Sequence, residues 1–268
     1  MAAVSQALID FANGYRQQPG PGVEVIVTPR YQVTMQPDFP IPGPNNISWI
    51  RCLAEEADEV IREARAAIAP WHVAVMWQLD PGTEPPDFAA RLAAHGVLPD
   101  RHPDADVMVL PAEAVIQAPP VPGLDMVDAL SDLETFREAD AAAQEAFQSE
   151  PLGDGPRAIA TQERRRTNSV ASGNRYRLLA RVDGEAAGTA AMSVFPPNGA
   201  AINGGAVRPK FRGRGVYRAL VVARLEIARR AGVAGLSVWG GPMSAPILAR
   251  LGFQKVGWRR MYIDRSTA

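Results

Sequence analysis

A short basic segment, residues 212–215, carries two glycines and lies between an apolar run and a helical pattern. Gly213 and Gly215 let the backbone adopt conformations closed to other residues and let a ligand approach closely. The first N–H groups of the following helix have no partner within it, and the helix dipole adds about half a positive charge there. The sequence therefore predicts a phosphate or pyrophosphate site, made up of Arg212, Gly213, Arg214, Gly215, Val216, Tyr217 and Arg218.

The flanking patterns favour this interpretation over a solvated turn. Residues 200–207 form an apolar run typical of a strand, and residues 217–230 show core spacing typical of a helix. The segment matches neither Gly-x-Gly-x-x-Gly nor Gly-x-x-x-x-Gly-Lys-Ser/Thr, so dinucleotide and nucleoside-triphosphate sites fit poorly.

The segment resembles motif A of the GCN5-related N-acetyltransferases (the GNAT superfamily). The family pattern is Val-x-Pro-x-x-Arg-Gly-x-Gly-x-Gly/Ala, and it holds the pyrophosphate of acetyl-CoA. Tyr217 replaces the family's usual Gly or Ala, and its phenol is expected to crowd the phosphates unless it turns aside. The matching residues are Val207, Pro209, Arg212, Gly213 and Gly215.

The element order of the second half also resembles this family. Helices are expected over 130–147 and 159–171, and a hairpin about Asp183-Gly184; the likeness covers residues 125–264 and includes Leu251-Gly252-Phe253. The resemblance implies an α/β fold with a mixed central sheet flanked by helices.

The first half echoes the second. A strand, a short helix ending in glycine and another strand occur over residues 75–110 and again over 237–263. We therefore expect a degenerate GNAT-like domain over residues 1–118 and a GNAT acetyltransferase domain over 124–268, joined by a Pro/Gly-rich linker. The alternative is an unrelated α/β domain with chance similarity. Within the first half, the pattern predicts a helix over 49–68 and a short strand over 106–110.

The resemblance assigns backbone roles to the end of the strand before the loop. In the family this strand splays from its neighbour, pairs with the pantetheine arm and polarises the thioester carbonyl through one N–H. The corresponding residues are Gly205, Ala206 and Val207.

The side chains that family members use for acid–base chemistry are missing. The strand over 200–204 has no carboxylate, Leu248 stands where the family has Tyr, and Gly240-Gly241-Pro242 stands where it has Asn. No catalytic residue is therefore assigned. Four side chains are candidate replacements, each with a structural role as the alternative: Tyr217, Tyr262, Ser244 and Asn203.

Composition excludes several other classes. There is a single cysteine, Cys52, no apolar run long enough to cross a membrane, and no signal-peptide pattern at the start. These features predict a cytoplasmic protein. The three histidines, 72, 95 and 102, lack metal-ligand spacing, so no metal is expected.

Charge is distributed unevenly. Residues 1–122 carry 7 Arg against 15 acids, a balance of −8, and residues 123–268 carry 21 basic residues against 14 acids, a balance of +7. Nucleic-acid binding is disfavoured because aromatic residues do not interleave with the basic ones. The triplet Arg164-Arg165-Arg166 is expected on a solvated helix face or docked to the acidic half, and Glu145, Glu150 and Asp154 are candidates for attracting an amine.

Together these features predict an acetyl-CoA-dependent transferase acting on a primary amine of a small molecule or protein. The alternative is a catalytically silent acyl-CoA-binding protein. We expect a monomer or homodimer with no nucleic-acid or membrane partner.

Overall fold

The computed structural model describes residues 3–150 and 153–266. They form two compact units. The first unit comprises residues 15–107, 239–246 and 256–266, and the second unit comprises residues 3–14, 108–150, 153–238 and 247–255. The division into a degenerate GNAT-like domain over 1–118 and a GNAT acetyltransferase domain over 124–268 stays a prediction.

Helices and strands alternate along the first half of the chain. The bounds are α1 (Gln6–Gly14), β1 (Glu24–Val27), β2 (Gln32–Met35), β3 (Asn46–Ser48), α2 (Ala57–Ile68), β4 (Val75–Leu79), α3 (Phe88–Ala94) and β5 (Leu98–Pro111).

The second half opens with a strand that the sequence did not predict, directly after the linker. The bounds are β6 (Leu124–Asp128), α4 (Leu133–Phe147), α5 (Pro156–Ala171), β7 (Arg175–Val182), β8 (Glu185–Phe195), β9 (Gly199–Val207), α6 (Val216–Arg230), β10 (Gly235–Gly240), α7 (Ala245–Arg250) and β11 (Gln254–Asp264). The sequence also predicts a Gly/Pro break over 149–156 between the two helices, and residues 151 and 152 of that break lie outside the described residues.

The predicted helix over 49–68 is wrong in its first part. Asn46–Ser48 is a strand, Trp49 takes a left-handed φ of 59°, and the α-helix begins only at Ala57. The amphipathic face that suggested the helix is real, because Val60, Ile61, Ala64 and Ile68 are fully buried. The predicted strand over 106–110 is the end of a longer strand, β5.

The sheet of the first unit takes its strands from both ends of the chain. Its order is β1-β2-β3-β4-β11, with β3 and β4 parallel and β4 and β11 antiparallel. Tyr262 of β11 lies opposite Trp77 of β4, and both are buried in the same apolar cluster. The last strand therefore completes a core otherwise built by the first hundred residues.

A buried carboxylate, Asp264, ties β11 to this core. It accepts hydrogen bonds from Arg65 at 2.8 and 3.2 Å and from Trp77 Nε1 at 3.1 Å. Burial by itself would raise the pKa of Asp264, but hydrogen bonds from Arg65, Ser266 and Trp77 outweigh it and hold the pKa below its ordinary value. The charged form of Asp264 therefore stabilises the folded unit.

We expect Asp264→Asn to lower the free energy of unfolding by about 1–3 kcal/mol at neutral pH, because Arg65 loses a charged acceptor. Since the folded pKa is depressed, this contribution is present above the unfolded pKa of about 3.9 and is lost as pH falls through the folded value. Urea unfolding between neutral and acidic pH should show the difference between wild type and variant shrinking below about pH 4. Asp104→Asn removes an exposed pair with Arg260 and is the matched control. A pH-independent difference would contradict the assignment.

The sheet of the second unit has the order β6-β7-β8-β9-β10. The predicted hairpin about Asp183-Gly184 is confirmed: both residues have positive φ, 53° and 81°, and Val182 pairs with Glu185. Neighbouring residues of β7 point to opposite faces. Leu179 packs in a cluster with Ala139 and Ala142 of α4, whereas Ala180 packs in a cluster with Val216 and Leu220 of α6. Helices α4 and α6 therefore cover opposite faces.

The prediction of a solvated Arg164-Arg165-Arg166 face is wrong for its middle residue. Arg165 is buried and donates hydrogen bonds to Asp140 at 3.0 and 3.3 Å. Arg177 of β7 forms a further ion pair with Asp140 at 2.7 Å. The carboxylate is only 4 % exposed. An isolated buried charge is costly, so the triplet contributes one residue to a buried ionic network between α4, α5 and β7.

Within residues 3–150 and 153–266, none of the helices combines the length and the apolar character needed to cross a bilayer.

Candidate functional site

Strand β9 is irregular near its end. Its antiparallel register with β8 shifts between the pairs Ala191–Asn203 and Thr189–Ala206, so β9 carries one extra residue there, and Gly204 takes a φ of 56°. This is a β-bulge, and a positive φ favours glycine at that position.

On its other edge, β9 pairs with β10 over a short distance only. Ala200 lies opposite Leu236 and Ala201 opposite Ser237, and the described residues form no further pair between these two strands. The stretch from Ile202 to Val207 therefore presents backbone groups that are not used by β10. Residues 205–207, to which the sequence resemblance assigns the backbone roles, lie in this stretch, and those roles stay a prediction.

The loop after β9 has the conformation that its glycines predict. Residues Pro209–Phe211 form a 3-10 turn, and Arg212 is extended. Gly213 and Gly215 then take left-handed φ values of 77° and 87°. Other residues adopt this region only with strain. Residues 212–215 are all exposed, and the loop is open to solvent rather than packed shut.

The loop and the start of α6 present free backbone donors. In the described part of the chain, the N–H groups of residues 213–218 donate no hydrogen bond to protein, and the first bond within the helix runs from Ala219 N to Gly215 O at 3.0 Å. These donors converge where the helix dipole is positive. The arrangement can bind an anion such as a phosphate group.

The basic side chains of the loop have different environments. Arg212 donates hydrogen bonds to Val207 O at 3.2 Å and Ala146 O at 3.0 Å, so it fastens the loop to β9 and α4. Arg214 lies 4.0 Å from Asp183, with 45 % of its side chain exposed. Arg218 is exposed and donates to Gln117 O at 3.3 Å. Arg214 and Arg218 are thus better placed than Arg212 to meet an anion.

Tyr217 turns away from the loop. A Cβ placed on Gly205 would lie 3.2 Å from a ring carbon of Tyr217, so the ring packs under the bulge of β9. The expected crowding of the phosphates by this phenol does not occur in this conformation.

The other candidate side chains are dispersed. Asn203 lies exposed on β9 beside the bulge. Tyr262 is buried in the core of the first unit, and Ser244 also belongs to that unit. Leu248 is fully buried. Within the second unit, only Asn203 and Tyr217 therefore come to the bulge.

Carboxylates of α4 line a cleft of about 350 Å³ together with the β7–β8 hairpin and Arg208. The three carboxylates of this cleft, two from α4 and one from the hairpin, are all paired. Glu138 pairs with Arg181, and both Glu145 and Glu185 pair with Arg208. Asp154 pairs with Arg137, and Glu150 is exposed. Two of the three carboxylates expected to attract an amine are thus engaged with arginines.

Sequence reasoning missed Arg224, which is buried under the bulge beside Tyr217. The spacing of residues on α6 could have predicted this burial. Leu220 and Ala228 mark the core face of α6, and Arg224 lies between them at the same four-residue spacing.

No group of three or more His, Cys, Asp or Glu side chains able to hold a metal ion occurs within residues 3–150 and 153–266.

Comparison with known proteins finds one family model that matches part of the chain. Residues 136–253 match the model of the acetyltransferase (GNAT) family, and this span contains the bulge, the glycine loop and α6. No protein with a curated description matches the chain.

Solved structures show the same fold over nearly the whole chain. A GCN5-related N-acetyltransferase from Kribbella flavida is 18 % identical, with 91 % of this chain and 90 % of that chain covered and a TM-score of 0.63. A conserved protein of unknown function from Staphylococcus epidermidis is 12 % identical, with 97 % and 99 % covered and a TM-score of 0.72. A tandem GNAT protein from the clavulanic acid biosynthesis pathway is 17 % identical, with 96 % and 87 % covered and a TM-score of 0.58. These likenesses confirm the expected fold, a mixed central sheet flanked by helices.

Proposed function

We propose that this protein transfers an acetyl group from acetyl-CoA to a primary amine. The observation that carries the proposal is the exposed loop with free N–H groups over residues 213–218, directly after a bulged and splayed strand. In this proposal the loop binds the pyrophosphate, with Arg214 and Arg218 as counter-charges and Arg212 holding the loop in place. The backbone of Gly205, Ala206 and Val207 pairs with the pantetheine arm and polarises the thioester carbonyl.

Attack of the amine on the thioester can proceed slowly without a catalytic side chain. A thioester is already activated, and holding it beside an amine supplies effective molarities on the order of 10⁵–10⁸ M. A positioned base adds about 10²–10⁴-fold, so its absence from β9 slows the reaction without preventing it.

One observation favours a catalytically silent acyl-CoA-binding protein as the second candidate. Leu248, which stands where the family has a tyrosine acid, is fully buried and inert. This candidate keeps the cofactor site and loses the transfer step.

We further propose a reducing, cytoplasmic location, which the free and buried thiol of Cys52 supports. The acceptor amine is the only partner that the proposal requires, with the protein acting as a monomer or homodimer.

A thermal-shift titration with acetyl-CoA tests cofactor binding. At 100 times the dissociation constant we expect stabilisation by about 2.7 kcal/mol, which moves the Tm of the second unit by roughly 5–11 °C. Arg212→Glu/Arg214→Glu should lose this shift, because charge reversal repels the pyrophosphate and releases the loop. Arg230→Glu, on the exposed far end of the same helix, is the matched control.

Thiol release from acetyl-CoA with a panel of amines then separates the two candidates. A shift with amine-dependent release supports the transferase, and a shift without release over the panel supports the silent protein. Absence of any shift, or its retention by the double variant, would overturn the site.

A further inference from the structure

The side chain of Arg224 on α6 is buried without a carboxylate partner. It is only 1 % exposed. Its Nε donates to Leu220 O at 3.0 Å and its Nη1 to Ala191 O at 3.5 Å, while Nη2 has no hydrogen-bond partner among the described residues. Its electrostatic partner is the phenol of Tyr217.

Such a group is unusual in a protein interior. Buried charges are ordinarily paired, because removing a charge from water costs several kcal/mol that a counter-charge must offset. Burial lowers the pKa of Arg224 only to about 10, so the guanidinium stays protonated at neutral pH. A fixed positive charge therefore lies in the core with spare capacity to stabilise negative charge nearby.

The position of this charge relates it to the proposed acyl-transfer site. Tyr217 and Arg224 are two helical turns apart on one face of α6. A Cβ on Gly205 would lie 3.2 Å from the ring of Tyr217 and 3.4 Å from Nη2 of Arg224. Because Gly205 has no Cβ, both side chains can lie this close to the bulge of β9 without a tight contact.

We propose that Tyr217, oriented by Arg224, is the acid that protonates the sulfur of the leaving coenzyme A. The inference rests on the proposed function, because it requires the thioester to lie along residues 205–207. Tyr217 would supply the phenol that the family places at the position of Leu248, from the opposite element of the fold.

The amine nitrogen bonds to the thioester carbon, and the carbon–sulfur bond breaks with its electron pair on sulfur. The hydroxyl proton of Tyr217 moves to that sulfur, giving the free thiol. The phenolate is held by Arg224 until the proton released from the amine nitrogen returns to it through water.

The environment of Tyr217 suits this role. Burial raises the pKa of the phenol, and the facing guanidinium of Arg224, the charged group that acts on it within the described residues, opposes the rise. The phenol is therefore protonated at neutral pH and ready to donate, while its conjugate base is stabilised. Turnover should fall at alkaline pH, where the phenol loses its proton.

The test compares Tyr217→Phe with wild type and with Tyr176→Phe, a control at an exposed position on β7. Acetyl-CoA with hydroxylamine as the acceptor is followed by thiol release, and acetyl-CoA affinity is measured by calorimetry. We expect kcat to fall about 10²–10⁴-fold in Tyr217→Phe, with affinity within about threefold of wild type and without the alkaline decline. Unchanged kcat, or a loss confined to affinity, would overturn the proposal.

Arg224→Met and Arg224→Lys separate positioning from packing. Replacing an unpaired buried charge by an apolar side chain is often neutral or stabilising. We therefore expect Arg224→Met to keep the wild-type Tm while kcat falls, and Arg224→Lys to recover part of kcat. Loss of stability in Arg224→Met with full activity in the folded fraction would assign Arg224 a packing role only and overturn its part in the proposal.

An acceptor-free measurement keeps the outcome distinct from that of the proposed function. The ultraviolet thiolate absorbance of bound coenzyme A reports the pKa of its thiol. Wild type should lower that pKa relative to free coenzyme A, and Arg224→Met should remove the effect. If wild type binds acetyl-CoA but transfers nothing, a lowered thiol pKa still supports this environment for sulfur, and an unshifted one overturns it.

Discussion

We expect Gly215→Val to weaken the proposed binding of acetyl-CoA at least about 100-fold, as calorimetry on the full chain would measure it. Gly215 has a φ of 87°, and an added Cβ would lie 3.2 Å from Cγ2 of Val121. A β-branched residue cannot take this conformation without strain of about 1–3 kcal/mol, so the loop relaxes and its N–H groups turn. Losing two hydrogen bonds to a charged ligand costs about 1.5–3 kcal/mol each.

Gly232→Val is the control for backbone strain alone. Gly232 also has a left-handed φ, 67°, with open space around it, and it follows the other end of α6. Both variants should lose similar stability, and only Gly215→Val should lose the ligand. Equal retention of acetyl-CoA by both would show that the amides of the loop do not hold the phosphates.

We expect Asp140→Ala to destabilise the second unit by about 3–5 kcal/mol, because it removes the carboxylate that pairs with both Arg165 and Arg177 in the interior. The side chains of these arginines are only 9 % and 13 % exposed. Urea or thermal unfolding of the full chain measures the loss.

Two comparisons isolate the cause of that loss. Asp154→Ala removes a carboxylate whose side chain is 92 % exposed and should cost about 0–1 kcal/mol. Replacing Asp140, Arg165 and Arg177 together by Leu, Met and Leu should recover most of the stability, since no charge is left unpaired. If the triple variant were as unstable as Asp140→Ala, the effect would come from packing instead.

The features that the sequence predicted well are those fixed by local chemistry. Gly213 and Gly215 have the left-handed conformations that their spacing before a helix indicated, and Asp183-Gly184 makes the tight turn that its residue types favour. Residues 212–215 are exposed, as the two arginines that flank Gly213 favour. Backbone preferences of single residues are strong enough to survive in any tertiary context.

The features that the sequence did not predict depend on contacts between residues far apart in the chain. Periodicity placed the buried face of α2 correctly but extended the helix over Trp49, where pairing of β3 with β2 and β4 prevails. A run of three arginines suggests an exposed helix face. Arg165 is buried because it pairs with Asp140, which lies 25 residues away in the sequence. The sequence also suggested that Tyr217 crowds the phosphates. Instead, Gly205 leaves room for the ring of Tyr217 under β9.

The pairing of β11 with β4 has a consequence for how the chain is made. Residues 260–264 are translated long after residues 75–79, yet they supply the antiparallel neighbour of that strand. Until the ribosome has delivered them, one edge of the nascent sheet has unpaired backbone groups beside the side chain of Trp77. A growing polypeptide in this state is a substrate for chaperones and for aggregation.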